Sequence, residues 1–279
     1  MAEPTGVLGT GSRAPRAEPP AFDPAVPHSS RMYDYLLGGK DNFAADRDAA
    51  EQLVAISPAA RRAVRANRAF HGRAVRYLAG EAGIRQFLDI GTGIPAADNT
   101  HEVAQRVAAD SRIVYVDNDP VVLAHARALL TSTRAGTVSY LNADLRDPDT
   151  ILEVAGQWLD FGAPVAIMLV LILHLIPDSD DPWQIVGRLV DAVPPGSYLV
   201  VSHPTGDLDE DIGAAITGSV NQRMQATPMT LRSHAEVSRF FDGLDLLPPG
   251  LVPQNRWPDR AAQDDEDTGC YGAVGRKPG

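Results

Sequence analysis

The chain has 279 residues, 44% of them hydrophobic, a formal net charge of -11 and one cysteine. That is ample apolar material for an α/β core, and it excludes a disulfide framework, a Cys-based zinc site and, by its acidity, a protein whose main task is to grip nucleic-acid phosphates. A small-molecule partner fits better, with no nucleic acid or membrane; the longest apolar run, 165–176, carries a histidine and ends at a proline, so a cytoplasmic setting is expected.

Residues 1–27 hold few large apolar side chains and many helix breakers, and no apolar signal-peptide core, so they read as a disordered tail. Order is predicted to begin near His28-Ser29-Ser30, where a serine can cap a helix through Leu37 that stops at Gly38-Gly39. Helical patterns over 44–56 and 59–79 follow, the second rich in arginine and alanine with Val64, Phe70, Val75 and Leu78 on one face. Residues 28–83 thus form a helical cap ahead of a sheet domain at 84–279.

From Arg85 onward apolar runs alternate with helical patterns, the sign of a parallel sheet with helices on both faces. The predicted strands are 86–90, 112–116, 137–142, 165–173 and 197–203, and the helices 99–109, 120–130, 149–159 and 182–192. A stretch at 207–225 precedes a helix opened by Thr230. Residues 244–251 and 269–275 read as two more strands, joined by a loop containing Asp264-Asp265-Glu266-Asp267, a solvated charge run.

The chain is organised around Phe87-Leu88-Asp89-Ile90-Gly91-Thr92-Gly93-Ile94-Pro95, a buried strand turning sharply toward a helix. Glycines at 91 and 93 let backbone N–H groups approach a nucleotide-like ligand. The loose G-x-G-x-x-A pattern admits a nicotinamide dinucleotide, but an anionic Asp89 beside a pyrophosphate is unfavourable. The same acid suits S-adenosylmethionine, which carries an ammonium group and a sulfonium and no phosphate. Asp117, ending the second strand, is placed to accept both ribose hydroxyls, with Asn118 flanking the adenine; Asp119-Pro120 reads as an ordinary helix start. Asp144 can accept from the adenine amino group beside Leu145, or merely shape a turn with Asp147.

These residues carry a resemblance. The order Asp-x-Gly-x-Gly, an acid at the second strand end, Ala-Asp-Leu at the third and a terminal strand pair is similar to class I S-adenosylmethionine-dependent methyltransferases. More narrowly, Tyr33-Asp34-Tyr35-Leu36-Leu37-Gly38-Gly39-Lys40-Asp41-Asn42-Phe43, taken with Asp89 to Pro95 and Tyr115 to Pro120, resembles an actinobacterial family of such enzymes long catalogued as a domain of unknown function. The resemblance spans about residues 28 to 277. It implies a Rossmann-like, seven-stranded, mostly parallel sheet with an antiparallel last strand and the cofactor over the carboxyl ends of the first strands. Pro95 stands where the broad superfamily often has a third glycine.

His174 emerges near the end of the fourth strand, where a methyl acceptor must lie. It can act as general base or pack against the cofactor's methionine part, since in-line attack on a sulfonium carbon needs little beyond positioning. His203 reads as a turn residue. Tyr33, Tyr35 and Phe43 could be core residues of the cap, but Gly38-Gly39 ahead of Lys40-Asp41-Asn42 supplies flexibility and polar groups together, and Tyr33, Tyr35, Lys40 and Asn42 are predicted in a lid over cofactor and acceptor. Arg61, Arg62, Arg65, Arg68 and Arg73 read as a solvated helix face, Cys270 as a buried strand residue, and no metal set is present. The leading expectation is a methyltransferase acting on a small molecule; a non-enzymatic S-adenosylmethionine-binding protein and a dinucleotide-dependent oxidoreductase are the rivals. Neither the acceptor nor the oligomeric state is written in the sequence.

Overall fold

At the centre of the molecule is β1 (Gln86–Ile90), buried over its whole length. A strand paired on both edges and covered on both faces has no solvent side, which is why its sequence is a continuous run and not an alternation. A computed structural model gives the architecture for residues 23–122, 124, 135–208, 210–216, 218, 221, 229–258 and 268–279. Most of the predicted tail, much of 120–130 and 207–225, and the acidic run at 264–267 lie outside the described residues.

β2 (Arg112–Asp117) and β4 (Ala166–Val170) flank β1 in parallel, β3 (Thr137–Asn142) pairs with β2, and β5 (Tyr198–Pro204) with β4. β8 (Cys270–Arg276) runs antiparallel along β5 and carries two short strands, β6 (Asp245–Leu246) and β7 (Val252–Pro253). The order is β3-β2-β1-β4-β5-β8-β6, with β7 also on β8, so the sheet has eight strands where seven were expected. The predicted strand at 244–251 shrinks to β6, since Pro248-Pro249 can donate nothing to a ladder, and the extra strand, β7, lies just past its predicted end. The predicted fourth strand also stops early, at Val170. Leu171 takes a left-handed φ of 53° and Leu173–Leu175 form a 3-10 turn, so the apolar run continues into a buried connection.

Helices α4 (Thr100–Val107), α5 (Pro148–Ala155), α6 (Pro182–Asp191), α7 (Glu210–Ala215) and α8 (His234–Ser238) accompany the sheet. One face packs Leu88, Val114 and Leu169 against Ile151, Leu189 and Phe240; the other packs Phe87, Ile113 and Met168 against Phe70, Leu78 and Trp257. Ahead of them α1 (Ser29–Leu37), α2 (Ala44–Ile56) and α3 (Ala60–Gly80) build a separate cluster around Met32, Leu36, Ala50 and Val64. Cys270 is buried in β8.

Three local expectations change. The cap of α1 is His28, whose ring accepts from Ser30 N–H, while the predicted stop holds: Gly38 has φ 89° and its N–H returns to Tyr35 and Asp34 carbonyls. Ser233, not Thr230, opens α8, in a capping box with Glu236. Within the arginine group, Arg68 donates to the Ala97 and Asp98 carbonyls and Arg73 to those of Trp257 and Gln254, so α3 is fastened to its surroundings by side chains read as solvated.

Candidate functional site

The carboxyl ends of β1, β2, β3 and β4 open beneath α1, into a cavity of about 590 Å³. It lies within the ~300–1,000 Å³ range of small-molecule sites. Asp89, Gly91, Gly93, Asp117, Asn118, Asp144, Leu145 and His174 all line it.

Gly91 and Gly93 have φ of 76° and 65°, left-handed values that favour glycine. Gly91 also has no room for a side chain, since a Cβ there would lie 2.5 Å from Ile172 Cγ1; at Gly93 the nearest atom, Ser30 Cβ, is 3.8 Å away. The turn is held from β2. Asp117 accepts from Gly93 N–H at 2.9 Å through one oxygen and from Asp119 N–H at 2.9 Å through the other. Burial pushes its carboxyl pKa up, against the pull of those two donors. Each oxygen keeps a lone pair for a ligand hydroxyl.

Asp89 is buried, takes a short hydrogen bond from Thr100 Oγ1, and lies 3.8 Å from His71 Nε2, which itself bonds Thr100 Oγ1 at 2.7 Å. Burial drives the His71 pKa down, and its Nδ1 is buried without a partner. Asp144 is more open. It accepts from Asn118 Nδ2 at 3.0 Å and from Arg146 N–H at 2.9 Å, and Arg146 is paired more closely with Asp180 at 2.7 Å.

The cap is tied to this end of the cavity. Asp119 caps the following turn by accepting from Val121 N–H, as its sequence position suggests, but it is also the anchor of α1: Ser30 Oγ donates to it at 3.2 Å, and His28 Nδ1 and Arg31 Nη1 lie at 3.1 and 3.5 Å. Arg31 pairs in turn with the fully buried Asp46 at 2.9 Å. Farther along α1, Tyr33 lines the cavity; its hydroxyl donates to Val64 O and accepts from Asn67 Nδ2, while Asn67 Oδ1 accepts from Ser202 Oγ on β5. Burial raises the Tyr33 pKa to about 12.

Tyr35, Lys40 and Asn42, expected with Tyr33 in a lid, stand outside the cavity lining. The helix period explains it: two residues on from Tyr33, Tyr35 turns from the cavity to pack half-buried against the cap cluster, donates to Glu51 and lies under Arg61. Asn42 donates to Asp34 and the Gly39 carbonyl, which folds the loop against α1, and Lys40 is exposed.

On the opposite wall, His174 sits in the 3-10 turn after β4, with its carbonyl accepting from Thr230 N–H at 2.7 Å. Its ring is buried, its Nδ1 has no partner, and burial followed by the nearby Arg232 charge takes its pKa down to about 3, so it is neutral at pH 7. The His203 ring lies edge-on at 6.2 Å, is held well below its ordinary pKa by burial, and accepts at Nε2 from Arg232 Nη1 at 2.9 Å. Arg232 is the residue with no signal in the sequence. At 1% exposure it donates to the Leu173 and Ile176 carbonyls and to Asp178, with Trp183 and Phe240 rings beside the guanidinium. Only its distance from those partners in the chain hides it.

Among the described residues no cluster of metal-ligating side chains is present, and no helix is long and apolar enough to cross a membrane. Residues 15–278 match the S-adenosyl methyltransferase family model. A DUF574 family protein from Streptomyces avermitilis is 45% identical, with a TM-score of 0.87 over 91% of this chain and 98% of its own. A candidate methyltransferase from Thermobifida fusca is 38% identical, with a TM-score of 0.83 over 94% and 99%. No curated protein matches. A match over nearly the whole length, on a sheet whose glycine turn and acids face one cavity, makes the chain a member of the S-adenosyl methyltransferase family and its cofactor S-adenosylmethionine.

Proposed function

We propose that the enzyme methylates a small molecule enclosed between the strand ends and the 28–83 cap, by in-line displacement. The observation that carries this is the continuity of the cavity, which runs from the acids of β1, β2 and β3 to the apolar wall formed by α1 and α3. When bound, S-adenosylmethionine supplies a methyl group on a positively charged sulfur, open to attack by a nucleophile.

The residues suit that group. Left-handed glycines at 91 and 93 leave the turn bare, and the oxygens of Asp117 retain lone pairs for the ribose hydroxyls. Asp144 and the backbone of Leu145 would hold the adenine, with Asn118 fixing the Asp144 carboxylate. Asp89, steadied by Thr100 and His71, takes the ammonium end, and the three carboxylates together disfavour a pyrophosphate. His174 stays neutral and orients the acceptor, a role that asks for no strong base. The cap excludes water, with α1 hinged on Asp119.

The test is calorimetry with S-adenosylmethionine and with NADH, followed by transfer of labelled methyl from the donor into fractionated cell extract. Donor binding and label in the small-molecule fraction are expected. Asp117→Asn, which gives up the charge facing the ribose, is expected to weaken donor binding by roughly 10–100-fold, the range of a hydrogen bond to a charged group. Binding of NADH alone, or label confined to macromolecules, refutes the reading.

A further inference from the structure

The cavity joins two chemically different spaces. At the strand ends its walls carry Asp89, Asp117 and Asp144. Along the cap cluster they are Met32, Leu36, Leu53, Val64, Ile216 and Met229, and no other carboxylate is found among the described lining residues. His174 stands at the seam and lines the cavity, its backbone bonded to Thr230 beside Met229 and its Nδ1 enclosed without a partner. Behind that ring lies Arg232, 2.9 Å from His203 and paired with Asp178 at 2.7 Å, and His203 packs edge-on against His174.

We propose that the acceptor is an apolar molecule presenting an anionic oxygen, a phenolate, enolate or carboxylate, and not an amine. The inference rests on the methyltransferase reading. An ammonium group in this compartment would lose its water with no carboxylate among the described lining residues to replace it, and would face the donor's sulfonium. An oxyanion meets opposite charge instead. The oxygen lone pair attacks the methyl carbon and forms the C–O bond, the C–S bond breaks, and its electron pair returns to sulfur, so the sulfonium becomes a neutral thioether. No proton is left over, and no base is required. A histidine held neutral by burial, with Nδ1 enclosed and Nε2 the nitrogen left to hold such an oxygen, is unsuited to deprotonate an alcohol.

The experiment uses the full chain, methyl-labelled S-adenosylmethionine and three probes of one shape: 2-naphthol, 2-naphthoate and 2-naphthylmethylamine. At least one of the two oxygen acids is expected to be methylated more than about tenfold faster than the amine, the discrimination expected when a buried charge lacks a partner. The naphthol rate should climb with pH along that compound's own ionisation, while the naphthoate rate stays flat over the same range. Equal or faster methylation of the amine overturns the proposal. So does a protein that binds donor but neither binds nor methylates either oxygen acid; label transfer to extract metabolites in that case leaves the methyltransferase reading standing. Absence of donor binding brings down both.

Discussion

Replacing Arg232 by methionine separates packing from polar satisfaction in one step. The guanidinium is 1% exposed, and its stem and plane lie beside Trp183 and Phe240, contacts that methionine can largely keep. What is lost is donors. The Leu173 carbonyl retains the Ile176 N–H at 3.2 Å, but the Ile176 carbonyl and His203 Nε2 lose the hydrogen bonds of 2.8 and 2.9 Å that Arg232 gives them. Asp178 is half-exposed and turns to water at little cost. Two buried acceptors orphaned at ~1–3 kcal/mol each, less the desolvation that the missing cation no longer suffers, come to a net loss of ~2–5 kcal/mol. Urea denaturation followed by circular dichroism reads this as a lower midpoint at unchanged slope, and methyl transfer should fall more than donor affinity does, because the turn carrying His174 has lost its brace. Arg232→Lys should recover little, since one ammonium cannot reach both acceptors. A loss below ~1 kcal/mol in the methionine variant refutes the reasoning, for it means those acceptors find other partners.

Gly91→Ala and Gly93→Ala share a left-handed backbone but not a neighbourhood, so Gly93→Ala should cost ~1 kcal/mol in urea denaturation and Gly91→Ala several times that, because Ile172 must move; equal losses would remove the argument from close approach. Stability should fall as pH drops from about 6.5 toward 3: His174, at about 3, and His203, well below its ordinary value, stay unprotonated in the fold while the unfolded chain takes up protons near 6.5. The slope should be about 1.4 kcal/mol per pH unit for each proton taken up, and a flat profile between pH 6.5 and 5.5, above the carboxylate range, contradicts the burial of this pair. Tyr35→Phe and Lys40→Ala should leave donor affinity within about twofold of the parent in calorimetry, as neither side chain lines the cavity; a tenfold loss would place their loop at the site.

Strands and turns that depend on neighbours in the chain were legible. Gln86–Ile90 and Thr137–Asn142 occupy the predicted ranges, the first as a buried run and the second as a β-branched and aromatic alternation, each bounded by turn residues, and Gly38 ends α1 where Gly38-Gly39 announced it. The acids at 89, 117 and 144 could be placed at strand ends from the same pattern, and all three line one cavity. What failed has physical reasons. Hydrophobicity does not distinguish a buried strand from the buried turn that continues it, so the fourth strand was overrun through Leu173, and a pair of prolines inside an apolar stretch was not read as a break. Long-range partners were invisible: Arg232 meets Leu173, Ile176 and His203 across 59, 56 and 29 residues, and Asn67 meets Ser202 across 135. The aromatic signature in the cap was noticed as a unit, yet only the helix period tells which of Tyr33 and Tyr35 faces the cavity.

The cap's small hydrophobic cluster stands apart from the two clusters that hold the sheet. On the proposed reading, resizing Leu36 or Leu53 redraws the acceptor compartment while the strands and their glycine turn stay as they are, so acceptor range could be retuned by a few cap substitutions without rebuilding the donor site.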